Sequence, residues 1–413
     1  MRLSRRMRLG LLAVGLVCVI GAAGVLAVLF GVFQPSVVSD AVNQPLTPAE
    51  MAQLVPRGRY LTLAADCAAC HTAPGGAPYA GGLGFALPVG TLYATNISPD
   101  PTYGIGQWSR ADFQHAMRDG IGPGHSYLFP AMPYVSYRQM SEGDVDAVYA
   151  YLMTRQPIHQ ASPRDSFPLP YMRLGMAFWN LINLPSRGFV TDAALSPTIN
   201  RGRYLVDALG HCGECHTPRD ISMGMIPGRY LQGATIEGVD APDITPAGLA
   251  RLGFDAPTLA QFMRAGLGPQ GVTTFSMYEV IEHSTRYLTP ADAEAMADYL
   301  MQGAPPPVVV TVGAVTPGTE HGRQSYVAVC AGCHGLNGVG VPHVAPAMRT
   351  NATLRLPSDR NLMRIMSDGL PAQSFPDGEA MQPMPGFAHL LTHQELVDLA
   401  AYLRSTWGGH PPH

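Results

Sequence analysis

Cys67-Ala68-Ala69-Cys70-His71, Cys212-Gly213-Glu214-Cys215-His216 and Cys330-Ala331-Gly332-Cys333-His334 set the same five-residue pattern three times in one chain. Two thiols three positions apart, followed at once by an imidazole, suit the covalent attachment of an iron porphyrin. The thiols add across two vinyl groups and the histidine supplies an axial nitrogen. A lone Cys-x-x-Cys would equally fit a thioredoxin-like redox pair, half of a zinc site or a disulfide framework. Three copies, each with histidine directly after the second cysteine and none with another Cys-x-x-Cys close by, argue against all of these. The seventh cysteine, Cys18, lies in an apolar segment, so no thiol is left for a structural disulfide. The expectation is an electron carrier with three covalently bound haem c groups, held by Cys67 and Cys70, Cys212 and Cys215, and Cys330 and Cys333, with His71, His216 and His334 on the irons.

A chain of 413 residues has room for about three domains, one per motif. A net charge of -4, from 26 basic and 30 acidic residues, argues against a nucleic-acid partner. Only 14% of residues are charged, while Gly (45) and Pro (38) are abundant, so long non-helical loops are expected between short helices.

Leu9 to Phe33 is an uncharged apolar run preceded by Arg2, Arg5, Arg6 and Arg8. As a helix it would span about 37 Å, enough to cross a hydrocarbon core of about 30 Å. The arginines should stay cytoplasmic and place the rest of the chain in the periplasm, on the outer face of a bacterial inner membrane. A cleaved leader is the competing reading, but Ser39-Asp40-Ala41 matches a cleavage site poorly and the apolar run is long for one.

The chain repeats one plan around its motifs. Arg57-Gly58-Arg59-Tyr60-Leu61 recurs as Arg201-Gly202-Arg203-Tyr204-Leu205, with a weaker echo in His321-Gly322-Arg323 and Tyr326. Met117, Met263 and Met366 each lie in a helical run closed by a glycine, which is a helix C-terminus signal. Amphipathic helices are expected over Ser141–Thr154, Thr289–Gln302 and Thr392–Thr406, the last two opening with capping-box spacing. The predicted fold is all-α: three tandem class I-like cytochrome c domains with long loops behind one N-terminal transmembrane helix. The boundaries are an anchor and linker over 1–45, domains over 46–158, 198–306 and 318–413, a Pro-rich linker over 159–197 and a second linker over 307–317. Within the first linker, Tyr171 to Leu184 reads as a short apolar helix, expected to pack between domains; a membrane-surface or partner-binding patch is the alternative.

The ligand opposite each histidine decides between electron transfer and small-molecule chemistry. Met132, in Phe129-Pro130-Ala131-Met132-Pro133-Tyr134, and Met277 both lie 61 residues beyond their histidines. Met384, in Gln382-Pro383-Met384-Pro385, lies 50 beyond His334. These three are the expected sixth ligands, carried on loops. Met117, Met263 and Met366 are expected to be core side chains, Met381 competes with Met384, and His125 or His283 would give bis-histidine coordination.

The chain resembles the triheme cytochrome c subunits of membrane-bound periplasmic dehydrogenases, of the alcohol, aldehyde and gluconate dehydrogenase type of acetic acid bacteria. The residues that carry the likeness are Ala65 to Gly76, Ala80-Gly81-Gly82, Thr95-Asn96-Ile97-Ser98-Pro99-Asp100 with Gly104 to Trp108, Pro130 to Tyr134, Gly210 to Arg219, and Glu282-His283-Ser284-Thr285. The resemblance implies a non-catalytic subunit that relays electrons from a catalytic partner to ubiquinone in the membrane. That partner would be a molybdopterin, quinoprotein or flavoprotein dehydrogenase, in some assemblies with a small iron–sulfur subunit. It also implies that Asn96 and Trp108 face the first haem, at its propionates; a turn-forming Asn and a core Trp are the alternative. A retained anchor shifts the expectation toward aldehyde dehydrogenase and other molybdenum hydroxylase assemblies.

Two other functions fit the same motifs: a membrane-tethered shuttle to a terminal oxidase, and a peroxidase-like enzyme with one open haem. Three credible methionine ligands and the absence of a dinucleotide, flavin or propeller signature argue against the enzyme. Co-purification with a dehydrogenase separates the shuttle from the subunit.

Overall fold

The computed structural model describes residues 5–34, 36–87, 89–167, 172–186, 188–311 and 318–411, with backbone only over 5–13. Contacts divide the chain into two units, Met1–Leu61 with Cys70–Val190, and Thr62–Ala69 with Thr191–His413.

The first unit opens with α1 (Arg5–Leu29), whose side chains from Val14 to Ile20 are exposed. The expected anchor lies partly outside the described side chains, and among the described residues no helix is long and apolar enough to cross a membrane. The chain then runs through α2 (Pro48–Ala64) and α3 (Cys67–His71). Helix α4 (Arg110–Asp119) starts on a capping box of Ser109 and Asp112 and stops at Gly120, whose φ of 67° only glycine adopts freely. A single turn, α5 (Tyr134–Tyr137), leads into α6 (Glu142–Met153), where the Ser141 hydroxyl accepts from the Asp144 amide. Helix α7 (Gly175–Asn183) falls in the expected apolar segment.

The second unit repeats the plan twice. First come α8 (Pro197–Tyr204), a π-type turn over Leu205–Leu209, α9 (Gly213–His216), α10 (Pro246–Leu252), α11 (Ala256–Ala265), α12 (Ser276–His283) and α13 (Pro290–Leu300). Then follow α14 (Glu320–Ser325), a second π-type turn over Tyr326–Cys330, α15 (Ala331–His334), α16 (Arg360–Asp368) and α17 (His393–Trp407).

Three helix crossings share one device. A Cβ on Gly58 would overlap the carbonyl of Ala147, on Gly202 that of Ala295, and on Gly322 that of Asp398. A tyrosine one turn on, Tyr151, Tyr299 or Tyr402, closes the same crossing. Backbones approach this closely only where the side chain is absent. At two crossings an arginine pins the capped end of the closing helix: Arg57 Nε donates to Asp144 at 2.6 Å and Arg201 Nε to Asp292 at 2.8 Å. The last crossing packs Tyr326, Leu399, Leu403 and Trp407, all nearly fully buried.

The fold is helix-rich, as expected, but not wholly helical. Among the described residues there are six two-stranded antiparallel ladders, the longest pairing Gly84–Leu87 with Gly90–Tyr93. Most have two residues per strand, too few for alternation to show in a sequence. They brace the long loops around the motifs.

Candidate haem-binding sites

Each motif occupies one short helical turn, which sets both thiols and the imidazole on a single segment. No disulfide joins any of the six thiols, and no cluster of His, Cys, Asp and Glu among the described residues could hold a metal ion. Burial pushes Cys212 and Cys330 up to about 12 and Cys215 up to about 11. A catalytic or zinc-binding cysteine needs the opposite shift, which none of these three shows. Neutral sulfurs set in an apolar wall suit thioether bonds, which carry no charge.

The three histidines share one orientation. His71 Nδ1 lies 2.7 Å from the Thr95 carbonyl, His216 Nδ1 2.7 Å from the Pro242 carbonyl, and His334 Nδ1 2.9 Å from the Pro346 carbonyl. A carbonyl only accepts, so each Nδ1 carries the proton and each Nε2 keeps its lone pair. Burial, the largest influence, lowers all three below the ordinary histidine value against the opposing pull of these hydrogen bonds. The result is three neutral, oriented imidazoles, the state that ligates iron.

Behind each imidazole stands a glycine with positive φ. The amides of Gly81, Gly233 and Gly340 donate to the carbonyls of His71, His216 and His334 at 2.8, 2.8 and 2.9 Å. Their φ values are 72°, 81° and 76°, and a Cβ on any of them would strike the peptide that receives the imidazole proton or its next residue. Glycine thus sets the distance between histidine and acceptor.

At the third motif an apolar cleft, partly open to solvent, is lined by Cys330, Cys333, His334, Met366, Phe387 and Leu403. Val272 and Thr274 from the preceding repeat complete a wall. Thiols, imidazole and methionines around one apolar cleft fit a covalently held haem.

Comparison with known proteins agrees. The cytochrome c family profile matches residues 55–156 and 319–407. The chain is 35% identical over 393 residues to the cytochrome c subunit of alcohol dehydrogenase (quinone) from Gluconacetobacter polyoxogenes, which covers 89% of this chain and 83% of that one. It is 36% identical over 378 residues to the gluconate 2-dehydrogenase cytochrome c subunit of Pantoea cypripedii, 86% of each chain. The chain belongs to the cytochrome c subunits of bacterial dehydrogenases. One of the nicotinate dehydrogenase subunits of Pseudomonas putida is 36% identical over 94% of this chain, but the chain spans only 34% of that relative's length.

In this cytochrome c subunit the three methionine candidates are half-buried. Met132 follows the Phe129 turn, and Met384 lies on a two-residue ladder with Leu370. Met277 departs from the expected loop: it sits in the first turn of α12, behind Phe275, whose φ of 55° is strained for a phenylalanine. Met117, Met263 and Met366 lie in α4, α11 and α16 and are 4%, 6% and 2% exposed. Met381 shares the third cleft with Met384, and so does Met348, a residue the spacing argument did not single out. His125 Nε2 is engaged by the Leu29 carbonyl and the Tyr127 hydroxyl, and His283 Nε2 pairs with Glu279 at 3.3 Å.

Asn96 acts as a clamp. Its amide donates to the Ile158 and Gln160 carbonyls at 2.7 and 3.0 Å, and its oxygen accepts from the Ser98 amide at 2.9 Å, which spends both donors on backbone. Trp108 is half-buried, its carbonyl accepting from the Tyr149 hydroxyl at 2.8 Å. The acceptor carbonyls of Thr95, Pro242 and Pro346 had no signal in the sequence beyond an Ala-Pro pair at the last two.

Proposed function

We propose that this chain is the triheme electron-transfer subunit of a membrane-bound periplasmic dehydrogenase, passing electrons from a catalytic subunit to ubiquinone. The carrying observation is the threefold recurrence of one ligand arrangement, a neutral imidazole oriented by a backbone carbonyl behind a Cys-x-x-Cys pair. Bound haem c supplies one-electron chemistry at its iron. The residues that would hold the irons are His71 with Met132, His216 with Met277, and His334 with Met384, and the apolar walls around them would limit access of water. The relatives' names, alcohol dehydrogenase (quinone) and gluconate 2-dehydrogenase subunits, support a dehydrogenase partner, and within that reading an alcohol or aldehyde is the favoured substrate class.

Packing within the second unit supports a relay. That unit includes residues 62–69, which lead into the first motif. There the Ser284 hydroxyl donates to the Ala64 carbonyl at 3.0 Å, and the His211 ring bonds the Ala65 carbonyl. Ala65 stands two residues before Cys67 and His211 one before Cys212, so the approaches to the first two motifs are tied together. Anchorage by Leu9–Phe33, with the body in the periplasm, completes the proposal and gives electrons an exit at the membrane.

The test compares dye-linked and quinone-linked oxidation of the substrate in membranes with and without this subunit. Dye reduction should persist and quinone reduction collapse on its loss. Equal quinone reduction in both overturns the relay and favours an independent shuttle.

A further inference from the structure

Helix α7 wears its polarity inside out. Ala177 and Asn180, three residues apart, are 2% and 1% exposed, whereas Leu174, Phe178, Leu181 and Ile182 face outward, the last 73% exposed. Asn180 cannot swing out to relieve this. Its oxygen accepts from the Tyr134 hydroxyl at 2.8 Å, and its amide reaches Gln34 Oε1 at 3.4 Å and the Asp119 carbonyl at 3.5 Å. Trp179 meets Tyr134 edge-on at a centroid distance of 6.1 Å, which fixes the helix further. A helix that buries an amide and presents Phe, Leu and Ile reverses the pattern that water imposes.

What covers that face is indicated by its neighbour. Helix α7 packs against α1, and Gln34, just beyond α1, is one of the Asn180 partners. On α1, Val14, Leu16, Val17, Val19 and Ile20 are all exposed. At about 100° per residue these side chains point to every side of the helix, so no single protein groove could cover them, whereas lipid can. Phe30, Val32 and Phe33, also exposed, carry the apolar surface from α1 toward α7. Between Gly175 and Asn183 there is no charged residue, and Arg173, just ahead, is neutralised by Asp165 at 2.5 Å.

We propose that α7 lies on the phospholipid bilayer surface, with Phe178, Leu181 and Ile182 at the headgroup–acyl boundary, and holds the first haem module against the membrane beside α1. The proposal rests on the anchor reading for its setting and adds a second, interfacial contact. Most interfacial helices are oriented by their own basic face. Here the orienting face is Asn180 and Ala177 against the protein, so α7 reaches lipid already positioned.

The experiment uses the full-length, haem-loaded protein in nanodiscs of phosphatidylethanolamine and phosphatidylglycerol, doped with a phospholipid carrying a diazirine in its acyl chain. After illumination, labelled peptides are mapped by mass spectrometry. Labelling of both α1 and the 175–183 peptide is expected, with none at Tyr103, an exposed aromatic of the same unit. The double substitution Phe178→Asp and Ile182→Asp should abolish labelling of the 175–183 peptide while α1 labelling and haem content stay unchanged. Labelling of α1 alone overturns the α7 proposal and leaves the anchor standing. Labelling of α7 alone upholds the proposal and overturns the anchor, and labelling of neither overturns both. Labelling of Tyr103 as strong as that of α7, or protection of α7 by a co-purified catalytic subunit, also overturns the proposal.

Discussion

Gly202 and Ala295 meet backbone to backbone: a Cβ on the glycine would occupy the space of the alanine carbonyl. The same relation holds for Gly58 with Ala147 and Gly322 with Asp398, so each crossing is closed by a missing side chain. Gly202→Ala should force α8 and α13 apart and cost roughly 1–3 kcal/mol, as overpacking does. Gly143→Ala is the control, since nothing lies within 4 Å of its added Cβ and a helix gains about 1 kcal/mol from the exchange. Thermal unfolding of the matured protein should place the two variants on opposite sides of the parent. An unchanged melting temperature for Gly202→Ala would remove the crossing argument.

Replacing Met132, Met277 or Met384 with alanine should lower the potential of one haem and let carbon monoxide bind to it. Loss of a thioether ligand removes the soft donor that favours reduced iron. Alanine at Met117, Met263 or Met366 should instead cost about 2–5 kcal/mol of stability and leave ligation intact. Stoichiometric carbon monoxide binding by the parent protein would mean an open site and revive the enzyme reading.

Gly340→Ala should disturb one haem through its histidine. The substituted Cβ would press on the 346–347 peptide, lengthen the bond from His334 Nδ1 to the Pro346 carbonyl and reduce the basicity of the imidazole. A less basic ligand stabilises ferric iron less, so the third haem should rise in potential while the others hold. Potentiometric titration reads this directly, and a shift spread over all three haems would argue against it.

Asp207 should give the middle module a pH dependence. Its carboxylate accepts from the Tyr230 hydroxyl at 2.8 Å and the Tyr299 hydroxyl at 3.2 Å, with Arg203 also nearby, yet burial outweighs them and pushes it up to about 6. A carboxyl raised in the folded state stabilises it while protonated, so this contribution is complete below about 4 and fades as pH rises through 6. Asp207→Asn is neutral throughout and should lack that component. The stability difference between parent and variant, followed from pH 4 to 8, should change near 6; a flat difference would count against the burial argument.

The three Cys-x-x-Cys-His motifs could be read from the sequence because the chemistry they suit demands contiguous residues. Their orienting partners could not. Thr95, Pro242 and Pro346 stand 24, 26 and 12 residues beyond their histidines, and a backbone carbonyl leaves no mark on residue identity. The repeated Gly-x-Tyr signalled a shared plan, but not that the glycine marks a helix contact. Equal spacing singled out Met277 as a candidate yet placed it on a loop, because the strained Phe275 that caps α12 carries no propensity signal. The apolar character of α7 was plain, but its direction was not: Asn180 decides which side faces in, and its partners Tyr134 and Gln34 are far away in the chain.

The raised thiols of Cys212 and Cys330 bear on biogenesis. Once a module has closed, these sulfurs are shielded and stay protonated at physiological pH, so they are poor nucleophiles toward a vinyl group. Thioether bonds must therefore be made on an open chain, and each module closes around its pigment afterwards. On the proposed triheme reading, a chain that misses one attachment would keep one module open, and limited proteolysis should cut that module first.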